Sequence, residues 1–180
     1  MTSPQLERVT APDFLAGIET EPMEELRARR AECQSLESSV SYCRRLAQGR
    51  LDIVNSELAR RRDGESDVDL GTLISRLPGI LADGPRGPAG APRPIGSIAP
   101  TGVDDQLAHG LDLIVSSGVL ASLGSLDEDE LAELIERLSA YERSLSTVRR
   151  RLHQQIDALH EEMTRRYRSG EASVDSLLNR

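Results

Sequence analysis

The chain has 180 residues, enough for one ordinary domain, and its formal net charge of -8 at pH 7 argues against general nucleic-acid binding. Aromatic residues make up only 2% of it, so a large core built on aromatic side chains is not expected, whereas its aliphatic residues suit long helices that bury a narrow stripe. The absence of a long apolar run or a secretory leader predicts a cytoplasmic protein with no membrane contact.

The first part of the chain combines a short irregular segment with a long helix. We expect residues 1–21 to form a mobile N-terminal tail, because they show little periodic pattern. Residues 22–63 are predicted to form the first coiled-coil helix, since Pro22 suits a first helical turn and Gly64 supplies a stop.

This helix contains the polar pattern E-x3-S-x2-R-x3-Q-x3-D. At about 100° per residue, its steps keep the five side chains within an arc of about 80°, in a stripe about 22 Å long. An apolar residue precedes each of them, so the stripe flanks the buried seam of the helix. Gly49, inside the pattern, is explained equally well by close approach of a ligand or partner and by simple tolerance. The five residues are Glu37, Ser41, Arg44, Gln48 and Asp52.

Residues 64–125 are predicted to connect this helix with a second one. Apolar residues favour a short helix over 66–83, and the following segment, 84–102, is a Pro/Gly linker that cannot bury a core. A second short apolar segment begins near Asp105. The two short helices either cap the long coil or form a docking surface for another protein.

The second coiled-coil helix is expected over residues 126–170, with a capping box from Ser125 to Glu128 at its start and a tail, 171–180, after it. It repeats the polar pattern 105 residues after the first copy, in the same position relative to its apolar seam, with His153 in place of Gln48. A plain coiled coil does not require such recurrence. The second copy comprises Glu142, Ser146, Arg149, His153 and Asp157.

Two long helices with similar seams predict an all-α fold, a long antiparallel two-helix coiled coil with short helices and the Pro/Gly linker in the connection. An antiparallel pair has a pseudo-two-fold axis normal to the plane of the helices. Both polar stripes then line one face, whereas a parallel pair would place them on opposite faces. The pattern therefore predicts a composite, two-fold symmetric polar site on one side of the coil.

The side chains of the stripes complement a guanine nucleotide. An arginine can donate two hydrogen bonds to guanine O6 and N7, and an aspartate can accept from N1–H and the exocyclic amine. Hydroxyl and amide groups can donate to phosphate oxygens. A ligand with two guanines, two phosphates and two-fold symmetry fits both this chemistry and the repeat.

The repeated pattern resembles the signature of the RsiG-type anti-sigma factors of actinobacteria, over residues 23–62 and 127–169. The resemblance implies an antiparallel coiled coil that binds cyclic di-GMP, with a dimer of the nucleotide on the coil. It also implies that the nucleotide-bound protein holds a flagellar-type sigma factor, WhiG, away from core RNA polymerase while the concentration of cyclic di-GMP is high. Sporulation genes controlled by that sigma factor would then stay silent.

The resemblance also assigns roles to individual residues. Arg44, Asp52, Arg149 and Asp157 match its guanine-contacting positions. His153 departs from the pattern, which has glutamine at this position. An imidazole still donates a hydrogen bond, but it adds a pH dependence that glutamine lacks. The remaining matched positions are Glu37, Ser41, Gln48, Glu142 and Ser146.

Three alternatives remain open at this point. The first is a scaffold or oligomerising coiled coil without a ligand. The second is a metal site, for which His153, Asp157, His160 and Glu161 have helical spacing but no matching cluster elsewhere. The third is nucleic-acid binding through the arginines of 143–151, which are spread round the helix and adjoin an acidic segment. An enzyme is not expected, because the chain lacks a Gly-rich phosphate loop and a nucleophile elbow.

Overall fold

The computed structural model describes residues 3–62 and 105–171, and every regular element within these ranges is helical. This confirms the all-α prediction. The helix expected over 66–83 and the linker 84–102 lie outside the described residues. The elements are α1 (Pro4–Thr10), α2 (Met23–Arg62), α3 (Asp105–Ile114), α4 (Ser117–Ala121), a 3-10 turn (Leu123–Ser125) and α5 (Glu128–Ser169).

Helices α2 and α5 are long, pack against each other and run antiparallel. Near the start of α2, Arg27 Nη2 donates to the Tyr167 hydroxyl at 2.5 Å, close to the end of α5. At the other end, Arg61 Nη2 donates to the carbonyl of Leu123, just before α5, at 2.7 Å. The apolar seams meet between the helices, and their buried members include Leu36, Val40, Cys43, Ala47, Leu145 and Leu152.

Local sequence explains where the long helices begin and end. Helix α2 has acidic residues in its first turn and three arginines in its last, which suits the helix dipole. Helix α5 ends at Gly170, whose φ of 75° lies in the left-handed region that glycine adopts without strain.

The start of α5 differs from the predicted one. The capping box joins Asp127 and Glu130: Asp127 Oδ1 accepts from the Glu130 N–H, and Glu130 Oε2 accepts from the Asp127 N–H, each at 2.8 Å. The predicted box from Ser125 to Glu128 is therefore wrong. Ser125 belongs to the preceding 3-10 turn, where its hydroxyl donates to the Ser122 carbonyl at 2.7 Å.

The segment before α2 also differs from the expected mobile tail. Residues 3–21 form α1 and a series of turns that pack on the coil. Leu6, Val9 and Phe14 are buried in one cluster with apolar residues of α2 and α5. The physical reason is that this end of the coil presents an apolar surface, which the N-terminal segment covers.

The opposite end of the coil is covered by helices α3 and α4 and the 3-10 turn. Leu111, Val115 and Leu123 join a second buried cluster there. The Tyr141 hydroxyl donates to the Leu107 carbonyl at 2.6 Å. The interpretation of this segment as a cap on the coil is therefore supported for its described part, although Leu113 stays 57% exposed.

Both caps are attached by equivalent arginines. Arg61 donates to the carbonyls of Leu123 and Leu126 before α5, and Arg166 donates to those of Ile18 and Glu21 before α2. Glutamates four residues earlier orient both guanidinium groups. Ion pairing with Arg165 and Arg166 lowers the pKa of one of them, Glu162, to about 2. The coil is thus closed at both ends by the same device.

None of the helices within residues 3–62 and 105–171 has the length and apolar character that a membrane span requires.

Candidate functional site

All ten residues of the two polar stripes lie on α2 and α5. The short segments contact the long helices through other side chains: Arg50 donates to Asp112 Oδ1 of α3 at 2.7 Å, and Gln155 to the carbonyl of Val9 in α1 at 3.3 Å. Neither Arg50 nor Gln155 belongs to a stripe. These two cap contacts therefore do not use the stripe residues.

One cluster forms around the carboxylate of Glu37. Its Oε1 accepts from Ser41 Oγ at 2.6 Å and from Arg149 Nε at 2.9 Å, and His153 Nε2 lies 3.4 Å away. Arg149 Nε also donates to Ser41 Oγ at 2.9 Å. We call these four residues half-site A. It joins the first two positions of one motif copy to the third and fourth positions of the other.

A second cluster forms around Glu142 in the reciprocal way. Its Oε1 accepts from Ser146 Oγ at 2.9 Å, from Arg44 Nη1 at 3.2 Å and from Gln48 Nε2 at 3.3 Å. These four residues are half-site B. Each member lies 105 residues from its counterpart in half-site A, so the two clusters are related by the pseudo-two-fold axis of the antiparallel pair.

The environment of Glu37 favours its charged form. Burial by itself raises its pKa, but the hydrogen bonds from Ser41 and Arg149, together with the electrostatic interactions with His153 and Arg149, outweigh that effect and hold the pKa below its ordinary value. Glu37 is therefore a carboxylate at neutral pH, bound by the helix that faces it.

The two arginines are engaged differently. Arg149 uses Nε for its partners, its side chain is 40% exposed, and its terminal nitrogens Nη1 and Nη2 make no hydrogen bond within the described part of the chain. Arg44 is only 24% exposed and uses Nη1, while its Nε is buried without a hydrogen-bond partner among the described residues. Arg149 thus retains both terminal nitrogens for a ligand, whereas Arg44 retains Nη2, which makes no hydrogen bond among the described residues.

Asp52 and Asp157 are the two predicted site residues that the structure does not bring into the clusters. Both are exposed, and neither makes a hydrogen bond or ion pair with any residue in the described ranges. Free carboxylates at the end of each stripe can accept from an N–H edge. Free guanidinium donors and free carboxylate acceptors are the two groups that the Watson–Crick and Hoogsteen edges of guanine require, so the residues fit that base.

The structure also bears on the metal alternative. Among residues 3–62 and 105–171, no group of three or more His, Cys, Asp or Glu side chains is placed to hold a metal ion. His153 instead faces Glu37.

Arg61 and Arg166, the arginines that hold the two caps, are the residues whose role the sequence reasoning missed. Their signal was present, because an E-x2-R-R pattern recurs with the same 105-residue offset at Glu57 and Glu162. Its function emerges only from the carbonyl groups that Arg61 and Arg166 contact.

A family model described as RsiG-like matches residues 12–81 and 118–180, which include α2, α5 and both copies of the polar pattern. None of the curated proteins matches the chain.

Proposed function

Because the chain belongs to the RsiG-like family of regulatory anti-sigma factors, which are not enzymes, we propose that it is a cyclic di-GMP-responsive anti-sigma factor. With nucleotide bound, it sequesters a flagellar-type, WhiG-like sigma factor and blocks transcription of sporulation genes. This activity belongs in the cytoplasm, where sigma factors meet core RNA polymerase.

The observation that carries the proposal is the reciprocity of half-sites A and B. Each presents an arginine with unused donors, held by a glutamate of the opposite helix that also accepts from a serine hydroxyl, on the same face of the coil. A symmetric ligand with two guanines can use both at once. A dimer of cyclic di-GMP supplies that symmetry, together with phosphates for the amide and imidazole donors.

The proposed roles follow from the free groups. Arg44 and Arg149 donate to guanine O6 and N7, and Asp52 and Asp157 accept from N1–H and the exocyclic amine. The bound nucleotide also changes the charge and shape of this face, which is how it would complete the surface that holds the sigma factor. A ligand-free scaffold is the second candidate, and it assigns no purpose to the donors left free on Arg149.

The test is a calorimetric titration of the full chain with cyclic di-GMP, with and without the flagellar-type sigma factor from the same organism. We expect tight binding that GTP and cyclic di-AMP do not compete for. Arg44→Ala or Arg149→Ala should weaken it by more than about 100-fold, because each removes a bidentate contact to a base.

Matched controls are available one residue away. Arg45 and Arg150 are exposed arginines in the next position of each copy, so Arg45→Ala and Arg150→Ala should leave affinity within about twofold. Binding only in the presence of the sigma factor would mean that the partner completes the site. No binding in either case would return the protein to the scaffold alternative.

A further inference from the structure

Each motif copy is divided between the two half-sites. Glu37 and Ser41 contact Arg149 of the opposite helix, and no hydrogen bond or ion pair joins them to Arg44 of their own copy in the described structure. In half-site B, Glu142 contacts Arg44 of the opposite helix through Nη1, and Ser146 donates to that same glutamate. The Glu-x3-Ser part of one copy therefore works together with the Arg of the other.

The contacts also select which part of the guanidinium remains available. Glu37 and Ser41 both engage Arg149 at Nε, the nitrogen nearest the side-chain stem. The two terminal nitrogens stay free on a side chain that is 40% exposed. Two neighbouring N–H donors on a planar group are what a bidentate contact with O6 and N7 of guanine needs.

Glu37 itself is poorly placed to serve as a ligand contact. Its side chain is only 19% exposed, and its Oε1 already accepts from Ser41 and Arg149. A carboxylate held in its charged form beside the phosphates of a nucleotide would repel them if it contacted them directly. Its contribution is to order the arginine, which loses rotational freedom when it binds and loses less if it is already held.

We propose that Glu37 and Ser41 are positioning residues for Arg149, and that Glu142, itself held by Ser146, is the positioning residue for Arg44. Each guanine is then bound by a half-site assembled across the coil, and the Glu-x3-Ser pair acts through the arginine without touching the nucleotide. This inference rests on the proposed function and specifies how four of the ten site residues serve it.

The test is a set of double-mutant cycles on cyclic di-GMP affinity, measured by calorimetry with the full chain. Glu37→Gln and Glu142→Gln remove the charge while keeping the shape. Arg149→Lys and Arg44→Lys weaken binding without abolishing it, because lysine keeps the positive charge and loses the fork. Far-UV circular dichroism and thermal melting of every variant establish that it folds like the wild type.

We expect each single substitution to weaken binding by about 10-fold. In the Arg149→Lys background, Glu37→Gln should weaken binding by less than about twofold further. In the Arg44→Lys background, it should show its full effect of about 10-fold. Glu142→Gln should show the opposite preference. Ser41→Ala is a second variant of half-site A, and its effect should be smaller and non-additive with that of Glu37→Gln.

Two results overturn the inference alone. One is a coupling between the effects of Glu37→Gln and of Arg44→Lys, the arginine of its own copy. The other is full additivity of the effects of Glu37→Gln and Arg149→Lys, when the wild-type protein does bind the nucleotide. A wild-type chain that binds no cyclic di-GMP, with or without the sigma factor, overturns the proposed function and this inference together. The two failures are thus distinguishable in the first titration.

Discussion

At the scale of single residues, the half-sites differ at one motif position. Gln48 donates an amide N–H to Glu142 at 3.3 Å, whereas His153 places an imidazole nitrogen 3.4 Å from Glu37. Histidine can change its charge between about pH 5 and 8, and an amide cannot. Half-site A therefore contains a titratable donor that half-site B lacks.

This difference predicts a pH-dependent affinity for cyclic di-GMP. Because an imidazole can bind a proton and an amide cannot, a change from pH 8 to pH 6 should strengthen binding of the anionic ligand in the wild type more than in a protein with glutamine at position 153. Glu37 is not the source of such an effect, because its lowered pKa keeps it ionised throughout that range. The measurement is calorimetric affinity at several pH values for the wild type and for His153→Gln, whose profile should be flatter.

His160→Gln is the matched control, since His160 is an exposed histidine on the same helix outside the motif. Its profile should follow that of the wild type. A His153→Gln profile with the wild-type slope would contradict the assignment of the pH dependence to this position.

Contacts within one helix and contacts between the two helices differ in how far the sequence predicts them. The contacts of Ser41 with Glu37 and of Ser146 with Glu142 follow from four-residue helical spacing, so the pattern alone predicts them. The contact between Glu37 and Arg149 does not follow, because it depends on the axial register of two helices. Apolar seams leave that register open by whole turns, and only the packed structure selects it.

At the scale of elements, the N-terminal segment is where sequence reasoning was least informative. Helix α1 has seven residues, and a helix of that length is not stable alone in water. Its stability comes from burying Leu6 and Val9 against the coil, a contact between residues that are distant in the chain. A local pattern could not reveal it.

The packing of α1 predicts the effect of a core substitution. Leu6 is fully buried, so Leu6→Ala should lower the free energy of unfolding by about 2–5 kcal/mol, through lost burial and the cavity that remains. Urea unfolding followed by circular dichroism measures it. Gln5→Ala, at the exposed neighbouring position, serves as the control and should change little. Equal, negligible effects of both substitutions would indicate the mobile tail expected from the sequence.

Within α2, a substitution at Gly49 distinguishes simple tolerance of glycine from close approach of a ligand or partner. A Cβ built at this position meets nothing within 4 Å, so Gly49→Ala should fit and should stabilise the helix by about 1 kcal/mol. Thermal unfolding measures that gain. If glycine is simply tolerated there, nucleotide and sigma-factor binding should be unchanged. A loss of either would instead show that a ligand or partner approaches the helix closely at Gly49.

At the scale of the whole molecule, the repeat extends beyond the two motif helices. Helix α2 begins at Met23 and α5 begins at Glu128, 105 residues later, and the buried Leu6 and Leu111 of the short helices have the same offset. Each half thus consists of a short helical cap followed by a long helix, and each cap is held by an arginine of the other half. The polar repeat was visible in the sequence, and so was a possible cap before α5, whereas the cap before α2 was not, since its seven-residue helix α1 is too short to show a periodic pattern.

This architecture predicts which part of the chain the site does not need. All ten site residues lie on α2 and α5, which contact each other directly, so deletion of residues 84–102 should leave cyclic di-GMP affinity within about twofold and thermal stability nearly unchanged. The matched control is deletion of 105–121, which removes α3, α4 and the buried Leu107 and Leu111 and should destabilise the coil. Calorimetry and thermal melting compare the two variants. If the first deletion abolished nucleotide binding while helicity persisted, residues 84–102 would contribute contacts to the ligand, and the site would extend beyond the two helices.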